Sequence, residues 1–387
     1  MTPNDSGSAV TVLPVRTRKE RRIFLTFPWR IFKGDPLWVP PLLPDLAERI
    51  DPARGVFFQR GTADFFIAWQ GGRPVGTICA AEDREANAAC GTREALFGFF
   101  HFIESYPVME ALLAQARAWA RARGLVTMSG PFNLDYEDSY GILVAGRGRP
   151  PALLCGHTPP YYYDFAERYG FRPARGDNLA FALDLTAPNP ALDDLARMAE
   201  RVRARGRFIV RSADLAHWED ELERILVLMN ASLAHLPDFR PWRREVVFHS
   251  LAPFRKIVDP SLILFAEDTH RQGPERCVGW LPGIPNLNEA FLHANGLRRP
   301  WDYIRLWLHM RRQPECLAVK SVLVPPEYWG SGAAILLFDE MVRRARARGY
   351  RWLDASLTSA DNPRTPQLAA RFGAKEYKRY RVYRIDV

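Results

Sequence analysis

The sequence predicts an α/β protein made of two tandem copies of one unit, each a mixed central sheet flanked by helices. Three observations predict it. The pentapeptide Ala-Arg-Ala-Arg-Gly occurs twice, at Ala120–Gly124 and Ala345–Gly349, each time at the end of an amphipathic stretch. The same order of patterns surrounds both copies. Finally, 387 residues, 47% of them hydrophobic, are too many for one ordinary core and enough for two.

Ahead of the first copy, VMEALLAQARAW places Met109, Leu112, Leu113, Ala116, Trp119 and Ala120 on one helical face. Gly124 suits the position after a helix end, where positive φ is needed. LVTMS then reads as a strand. Ahead of the second copy, Ile335, Phe338, Met341, Val342 and Ala345 repeat the stripe, Gly349 stands in the same capping position, and YRWLDASL is the strand. A strand precedes each helix, FGFFHFI in one case and LAVKSVLV in the other. Each unit then ends in a helix closed by Arg-aromatic-Gly (Arg168-Tyr169-Gly170; Arg371-Phe372-Gly373) and a final strand, DNLAFALDL or YKRYRVYRI. This is an internal duplication. The arginines of the repeated pentapeptide suit the negative end of a helix dipole and need no functional role.

The second unit opens with the strand RFIVRSAD, followed by helices near 214–234 and 241–256 and the strands SLILFAE and RCVGWLP. The expected boundaries are 1–185 for the first unit, 186–194 for a linker and 195–387 for the second; Pro and Asn interrupt the pattern in TAPNPALDD. The halves differ in length. Gly124 to Gly170 spans 46 residues and Gly349 to Gly373 spans 24, so the first half carries about 22 extra residues in SGPFNLDYEDSYGILVAGRGRPPALLCGHTPP. A long connection inside a compact unit is functional or disordered.

Five scattered cysteines without a C-x-x-C pair argue against a zinc site or a disulfide framework, and no metal is expected. The polar start MTPNDSGSAV lacks a signal-peptide core, and no apolar run approaches the roughly 18 residues that span a bilayer. A cytoplasmic location is expected. The net charge of +9 favours anionic partners, such as a phosphorylated cofactor or an acidic membrane face. Nucleic acid ranks last, because no zinc-finger, RNP or KH pattern appears and arginine is spread over helix faces.

The sharpest local signal is VLVPPEYWGSGAAILLF. A β-branched strand ends at Val324, Pro-Pro turns the chain, and Gly330 and Gly332 open an amphipathic helix. Unpaired N–H groups at such a helix start can cradle a pyrophosphate. A tight turn that binds nothing fits the same residues equally well. The stretch matches neither a nucleoside-triphosphate loop nor a dinucleotide fingerprint nor a hydrolase elbow.

This order of elements, with that turn after the fourth strand, resembles the GCN5-related N-acetyltransferase (GNAT) superfamily. The resemblance implies two tandem GNAT-like domains. The family's acyl-CoA motif, R/Q-x-x-G-x-G/A, falls on Trp329-Gly330-Ser331-Gly332-Ala333-Ala334, with matches at Gly332 and Ala334 and a departure at Trp329. Its next landmark places Asn362 eleven residues before Gly373, whereas the position of the general-acid tyrosine holds Ala369. The resemblance therefore implies acyl-CoA as co-substrate, held by Val322, Val324, Trp329, Gly330, Ser331, Gly332, Ala333, Ala334 and Asn362. Protonation of the CoA thiolate is left to Tyr380, Tyr383 or water. In the first half IESYPVMEALL follows the fourth strand without a glycine, which implies a domain without a CoA site. Over the whole chain, FKGDPLWVPPL, the GPFN…G insert and EYKRYRVYR resemble bacterial tandem proteins that include ceramide-type N-acyltransferases.

The implied reaction is acyl transfer from acyl-CoA to a primary amine by direct attack. The amine must be neutral, so a proton acceptor is needed, and the oxyanion needs an N–H donor near Val322–Val324. Asp135 and Glu137, with Asp138, are acid–base candidates in the insert; a solvated loop is the plainer reading of each. Asn133 and Asn288 are candidates for the acceptor pocket, though Asn288 is also placed to cap a turn. Tyr161, Tyr162 and Tyr163 suit a core. The aromatic stretch FLTFPWRIFKGDPLWVPPLLP suits a strap packed across the domains better than a membrane anchor. A long-chain amine, in particular a sphingoid base, is the expected acceptor, with peripheral contact to an anionic inner membrane face. A small polar amine, or an inactive protein that binds acyl-CoA or lipid, is the alternative.

Overall fold

The computed structural model describes residues 9–134, 140–235, 241–252, 255, 258–362 and 364–387. The first half runs through β1 (Thr11–Pro14), α1 (Arg18–Thr26), α2 (Pro28–Ile31), α3 (Leu43–Arg49), β2 (Gly61–Gln70), β3 (Arg73–Asp83), α4 (Arg84–Cys90), β4 (Glu94–Phe102), α5 (Tyr106–Arg121), β5 (Thr127–Gly130), β6 (Ile142–Ala145), α6 (Pro160–Tyr169), β7 (Arg172–Pro173) and β8 (Asn178–Asp184). The second half continues with α7 (Pro190–Ala204), β9 (Phe208–Ser212), α8 (Trp218–Leu233), α9 (Arg244–Leu251), β10 (Ile263–Asp268), β11 (Cys277–Pro285), α10 (Asn288–Phe291), α11 (Pro300–Met310), β12 (Cys316–Val319), α12 (Ala333–Ala347), β13 (Trp352–Ser359), α13 (Arg364–Arg371), β14 (Lys375–Arg381) and β15 (Tyr383–Asp386).

The two stripes form the expected helices. α5 buries Met109, Leu112, Leu113, Ala116, Trp119 and Ala120 against the first sheet; α12 buries Met341, Val342 and Ala345 of its expected stripe against the second, with Leu336 and Leu337 buried beside them and the expected Ile335 and Phe338 only half-buried. Each large side chain so buried contributes about 1.5–3 kcal/mol. Gly124 and Gly349 take φ of 70° and 81° in open space, so they serve backbone shape alone. The repeated arginines hold the surface. Arg123 lies over the Trp119 ring at 3.7 Å and reaches Asp64, and Arg348 pairs with Asp259.

The sheets exchange strands. The first has the order β1-β2-β3-β4-β5-β15-β7 and the second β6-β14-β8-β13-β12-β11-β10-β9. β8, late in the first half, lies between β13 and β14 of the second sheet, while β15, at the end of the chain, lies between β5 and β7 of the first. Each half thus supplies an internal strand to its partner. The basic tail EYKRYRVYR fastens this exchange: Arg381 makes two bonds to Asp177 at 2.8 and 3.0 Å, and Arg384 bonds Glu94 at 2.9 Å.

Three expectations need correction. The stretch expected as linker contains the start of α7, whose first amides are capped by the Asn189 side chain accepting from Ala191 N. The boundary at 186–194 marks a change of half along the chain and not a change of sheet, since β8 precedes it. The strand expected over LAVKSVLV stops at Val319, because Lys320 turns into a polar cluster at the seam between the halves. Two helices, α10 and α11, also stand between β11 and β12, where the expected order of elements passed from strand to strand.

The insert of the first half joins the second sheet. β6 pairs with β14 at its edge, Leu143 opposite Tyr380. Gly146 follows with φ of 91°, and a Cβ there would stand 1.9 Å from the Tyr377 carbonyl oxygen. Only glycine lets the insert lie so close.

Candidate active site

The loop from Pro325 to Gly332 is shaped by its own residues. Ser331 N donates to the Tyr328 carbonyl, Gly330 and Gly332 take φ of 76° and 103°, and Gly332 is the residue at the N-terminal end of α12. The first amides of α12, from Ala333 and Ala334 onward, point out of the helix start. The Ser331 hydroxyl accepts from Ala333 N at 3.3 Å. Trp329, where the family motif has Arg or Gln, is 41% exposed and donates its indole N–H to the Val324 carbonyl at 2.9 Å. Trp329 therefore braces the loop onto the preceding segment and offers no charge to a phosphate.

β12 and β13 pair in parallel as far as Val319 and Ala355, then separate. β13 turns to β8, while the chain beyond β12 forms one bridge to β11, Leu323 with Trp280 at 2.9 and 3.0 Å. Since both backbone groups of Leu323 face β11, those of Val322 face the opposite way, into the split. A cavity of about 360 Å³ opens there. α12 contributes Phe338 and Met341 to its wall, β13 Leu357, and α13 Leu368 and Ala369, with Phe372 just after it. Ala369 leaves apolar space where the family's tyrosine would project a hydroxyl. Its polar groups include Lys320, Ser321, Ser356 and Thr358.

Behind this cavity lies the seam cluster. Asp354, fully buried, accepts from Lys320 Nζ at 2.8 Å, from Ser356 Oγ at 2.6 Å and from Tyr377 OH at 2.7 Å. Cys155, from the first half, stands 3.3 Å from Ser356 Oγ and 3.7 Å from Lys320 Nζ. Burial drives the Cys155 thiol above its usual range, and it raises the Tyr377 phenol well above its own. Burial would also discharge Lys320, but its neighbours Cys155 and Asp354 outweigh this and hold the ammonium. Nearby Lys378 is buried and donates to the Gly146 and Arg149 carbonyls at 2.7 and 2.8 Å; burial lowers its pKa to about 8.

The expected site residues are dispersed. Val322, Val324 and Trp329–Ala334 surround the loop and the split. Asn362 lies in the turn after β13, its N–H on the Ser359 carbonyl. Tyr380 is buried at the seam, donates to the Gly156 carbonyl at 3.0 Å, and has its phenol pushed well above the usual range by burial. Tyr383 is placed elsewhere: on β15 it belongs to the first half's core and donates to Glu167 at 2.8 Å, because the strand exchange carries it away from the split. Asn288 gives its amide to the Pro151 and Ala152 carbonyls at 3.1 and 2.9 Å, clamping the insert onto the second half. Asn133 accepts from Phe99 N at 2.7 Å and lines a smaller cavity in the first half. Asp135, Glu137 and Asp138 lie outside the described residues. Lys320, Asp354, Ser356 and Cys155 escaped the sequence reading. Their one signal was a lysine inside the apolar run LAVKSVLV.

In the first half the corresponding helix, α5, starts at Tyr106 with Pro107 in its first turn, and Pro107 has no N–H to offer. The strap also packs inward. Phe32 stacks on Trp38 at 4.8 Å, and Trp29 donates to Asn295 of the second half at 2.9 Å.

Two sheets completed by exchanged strands, with one glycine-bracketed helix start below a strand split, define a protein of the tandem GNAT fold. The chain superposes on a tandem GNAT protein from the clavulanic acid biosynthesis pathway with a TM-score of 0.57 at 14% identity, covering 97% of this chain and 98% of that one. A GCN5-related N-acetyltransferase from Sphaerobacter thermophilus gives a TM-score of 0.55 at 13% identity, covering 100% and 97%. In sequence the chain is similar to a bacterial ceramide synthase of Caulobacter vibrioides, 27% identical over 395 residues that cover 98% of this chain and 99% of that protein. Protein YghO of Escherichia coli is 26% identical over 378 residues, covering 95% and 93%. No protein-family model matches the chain.

Proposed function

We propose that the protein is an acyl-CoA-dependent N-acyltransferase that moves a long-chain acyl group to a long-chain amine of the sphingoid type. The carrying observation is the split between β12 and β13 beside the start of α12, opening into an apolar cavity of about 360 Å³. A volume in this range suits a whole small-molecule ligand, and an acetyl group would leave most of it empty. The pyrophosphate sits on the amides of Ala333 and Ala334, and the thioester lies in the split, where the Val322 N–H meets the developing oxyanion. The first half, with Pro107 at the matching helix start, holds no CoA and serves the acceptor. The name of the Caulobacter relative supports the acceptor class.

Contact with an anionic membrane belongs to the same reading. Among the described residues no helix is long and apolar enough to cross a bilayer. α11, however, exposes Trp301, Tyr303, Ile304, Trp307, Leu308 and Met310, each 44–61% accessible, beside Arg305, Arg311 and Arg312. Aromatic and apolar side chains interleaved with arginine suit the interface of an acidic membrane.

The test is direct. The protein is incubated with palmitoyl-CoA or acetyl-CoA and a panel of amines, and amides are sought by mass spectrometry. Amides of sphinganine with palmitoyl-CoA support the reading. Acylation of spermidine or amino sugars alone would overturn the lipid acceptor, and CoA binding without any amide would overturn the enzyme.

A further inference from the structure

The second sheet separates two apolar cores. Leu264 and Ala266 of β10 belong to the core packed by α7 and α12, whereas the alternate residues Ile263 and Phe265 belong to the core packed by α8 and α9. Side chains of a strand alternate between faces, so the two cores lie on opposite sides of the sheet. The cavity of about 360 Å³ touches both. Leu195, Met341 and Val342 in its wall are members of the first core; Trp280 and Leu323 are members of the second, with Met229 and Leu233 packed against it. A single space that reaches both cores crosses the sheet. It crosses at the split, where Lys320 and Ser321 line it on one side and Ser356 and Thr358 on the other.

The cavity therefore has two branches. One runs between α12 and α13, past Phe338 and Met341 to Leu368 and Ala369. It lies on the face of α12, whose first amides form the cradle, so a CoA held there reaches the split through this branch. The other branch lies beneath α8. Its walls are Met229 and Leu233, one turn apart on α8, with Trp280 of β11 and Trp242. All four are apolar, whereas the polar side chains stand at the split. Trp242 is tied to the same turn of α8. Its N–H donates to Asn230 Oδ1 at 2.7 Å, and its carbonyl accepts from Asn230 Nδ2 at 3.2 Å.

We propose that the branch beneath α8 receives the alkyl chain of the acyl group, and that Met229, Leu233 and Trp242 set the chain length the protein accepts. This rests on the acyltransferase reading, which puts the thioester in the split. A chain continuing from the thioester carbon has two branches to enter. The pantetheine fills the one beside α12 and α13, which leaves the one beneath α8. There each methylene exchanges water for an apolar wall, so affinity grows with length until the chain meets the far wall.

Calorimetry with acetyl-, octanoyl-, lauroyl-, palmitoyl- and arachidoyl-CoA, without any amine, reads this branch directly. In wild type the affinity should rise with chain length, by about tenfold for each two carbons, and then level off. Met229 and Trp242 are half-buried. Met229→Trp fills the branch, so palmitoyl-CoA should bind at least about tenfold more weakly while acetyl-CoA binds as before. Leu233→Phe, a milder change, should act in the same direction. Trp242→Ala opens the wall, so the levelling-off should move to a longer chain. No gain with length in wild type, or levelling off at the same length in all four proteins, would overturn the proposal. Turnover then shows which chain the branch holds. With palmitoyl-CoA fixed and octyl-, dodecyl- and hexadecylamine as acceptors, Met229→Trp should keep the amine-length preference of wild type. A changed amine preference would give the branch to the acceptor and overturn the proposal. If no amide forms from any pair while the acyl-CoA affinities follow the expected pattern, the transferase reading falls and the branch stands as the binding site of the acyl chain.

Discussion

Val202 of α7 fills the space that a side chain on Gly332 would need: a Cβ there would lie 2.7 Å from Val202 Cγ2. With φ of 103°, Gly332 is required twice, for backbone shape and for packing. The helix that supplies Val202 is thus part of what sets the cradle.

This relationship decides how the cradle is tested. Gly332→Ala should destabilise the fold by about 1–3 kcal/mol, seen as a lower melting temperature, and so reports on folding first. Ser331 is half-buried in the same loop without positive φ. Ser331→Glu places a carboxylate where a pyrophosphate would sit. It should leave the melt nearly unchanged and weaken CoA at least about tenfold in calorimetry, or ~1.4 kcal/mol. Unchanged affinity would mean that the helix start binds no phosphate.

The Lys320–Asp354 pair should behave as a coupled unit. Both side chains are almost fully buried, 12% and 0% exposed, at 2.8 Å. Asp354→Asn or Lys320→Met leaves its partner charged and unpaired, which costs about 3–5 kcal/mol. The double variant should be less damaged than the sum of the two. Urea unfolding of all four proteins measures the coupling. Strict additivity would show that the two groups do not depend on each other.

The stripes on α5 and α12 and the glycines that end them were legible in the sequence, because helical periodicity reports which face is buried. Periodicity does not report which sheet a strand joins. DNLAFALDL and YRVYRID each have a strand pattern, and nothing local to either shows that it completes the other half. That is why Tyr383 was placed beside the split, whereas it lies with Glu167 in the first core. α11 was missed for a different reason: the apolar face of WDYIRLWLHM is exposed and stands outside the duplicated pattern, so the repeat does not point to it. At the site, Gly330-Ser331-Gly332 carried a local signal. Cys155, Lys320 and Asp354 come together only through the exchange, so no local pattern joins them.

Lys378 predicts a pH dependence. Its pKa is lowered to about 8 in the folded protein, against an ordinary value of 10.5. Between those values the unfolded chain binds the extra proton and the folded protein does not, so stability rises with pH through this window. Below about pH 8 both states are protonated and the burial cost is fully present. The difference in unfolding free energy between wild type and Lys378→Met, followed from pH 7 to 10.5, should move in favour of wild type. A flat difference would mean that Lys378 titrates normally.

α11 predicts where the protein meets a membrane. Trp301, Ile304 and Leu308 follow helical spacing, as do Tyr303, Trp307 and Met310, so together they make one broad exposed apolar face. Trp307 also carries Arg311 over its ring at 3.6 Å, leaving an aromatic and a charge side by side. The loop ahead of α11 holds Trp29 of the strap, next to Pro28, which lines the smaller cavity. Wild type should sediment with phosphatidylglycerol vesicles and far less with phosphatidylcholine. Binding should weaken as salt rises, since the screening length falls from about 10 Å at 0.1 M to about 3 Å at 1 M. Ile304→Glu with Trp307→Glu changes two exposed side chains, so the melt should hold while vesicle binding falls at least about tenfold. Unchanged sedimentation would sink the assignment. A different result would also overturn it: if the wild type is a dimer that ignores vesicles and the double variant is a monomer, the apolar face is covered by a second copy of the chain.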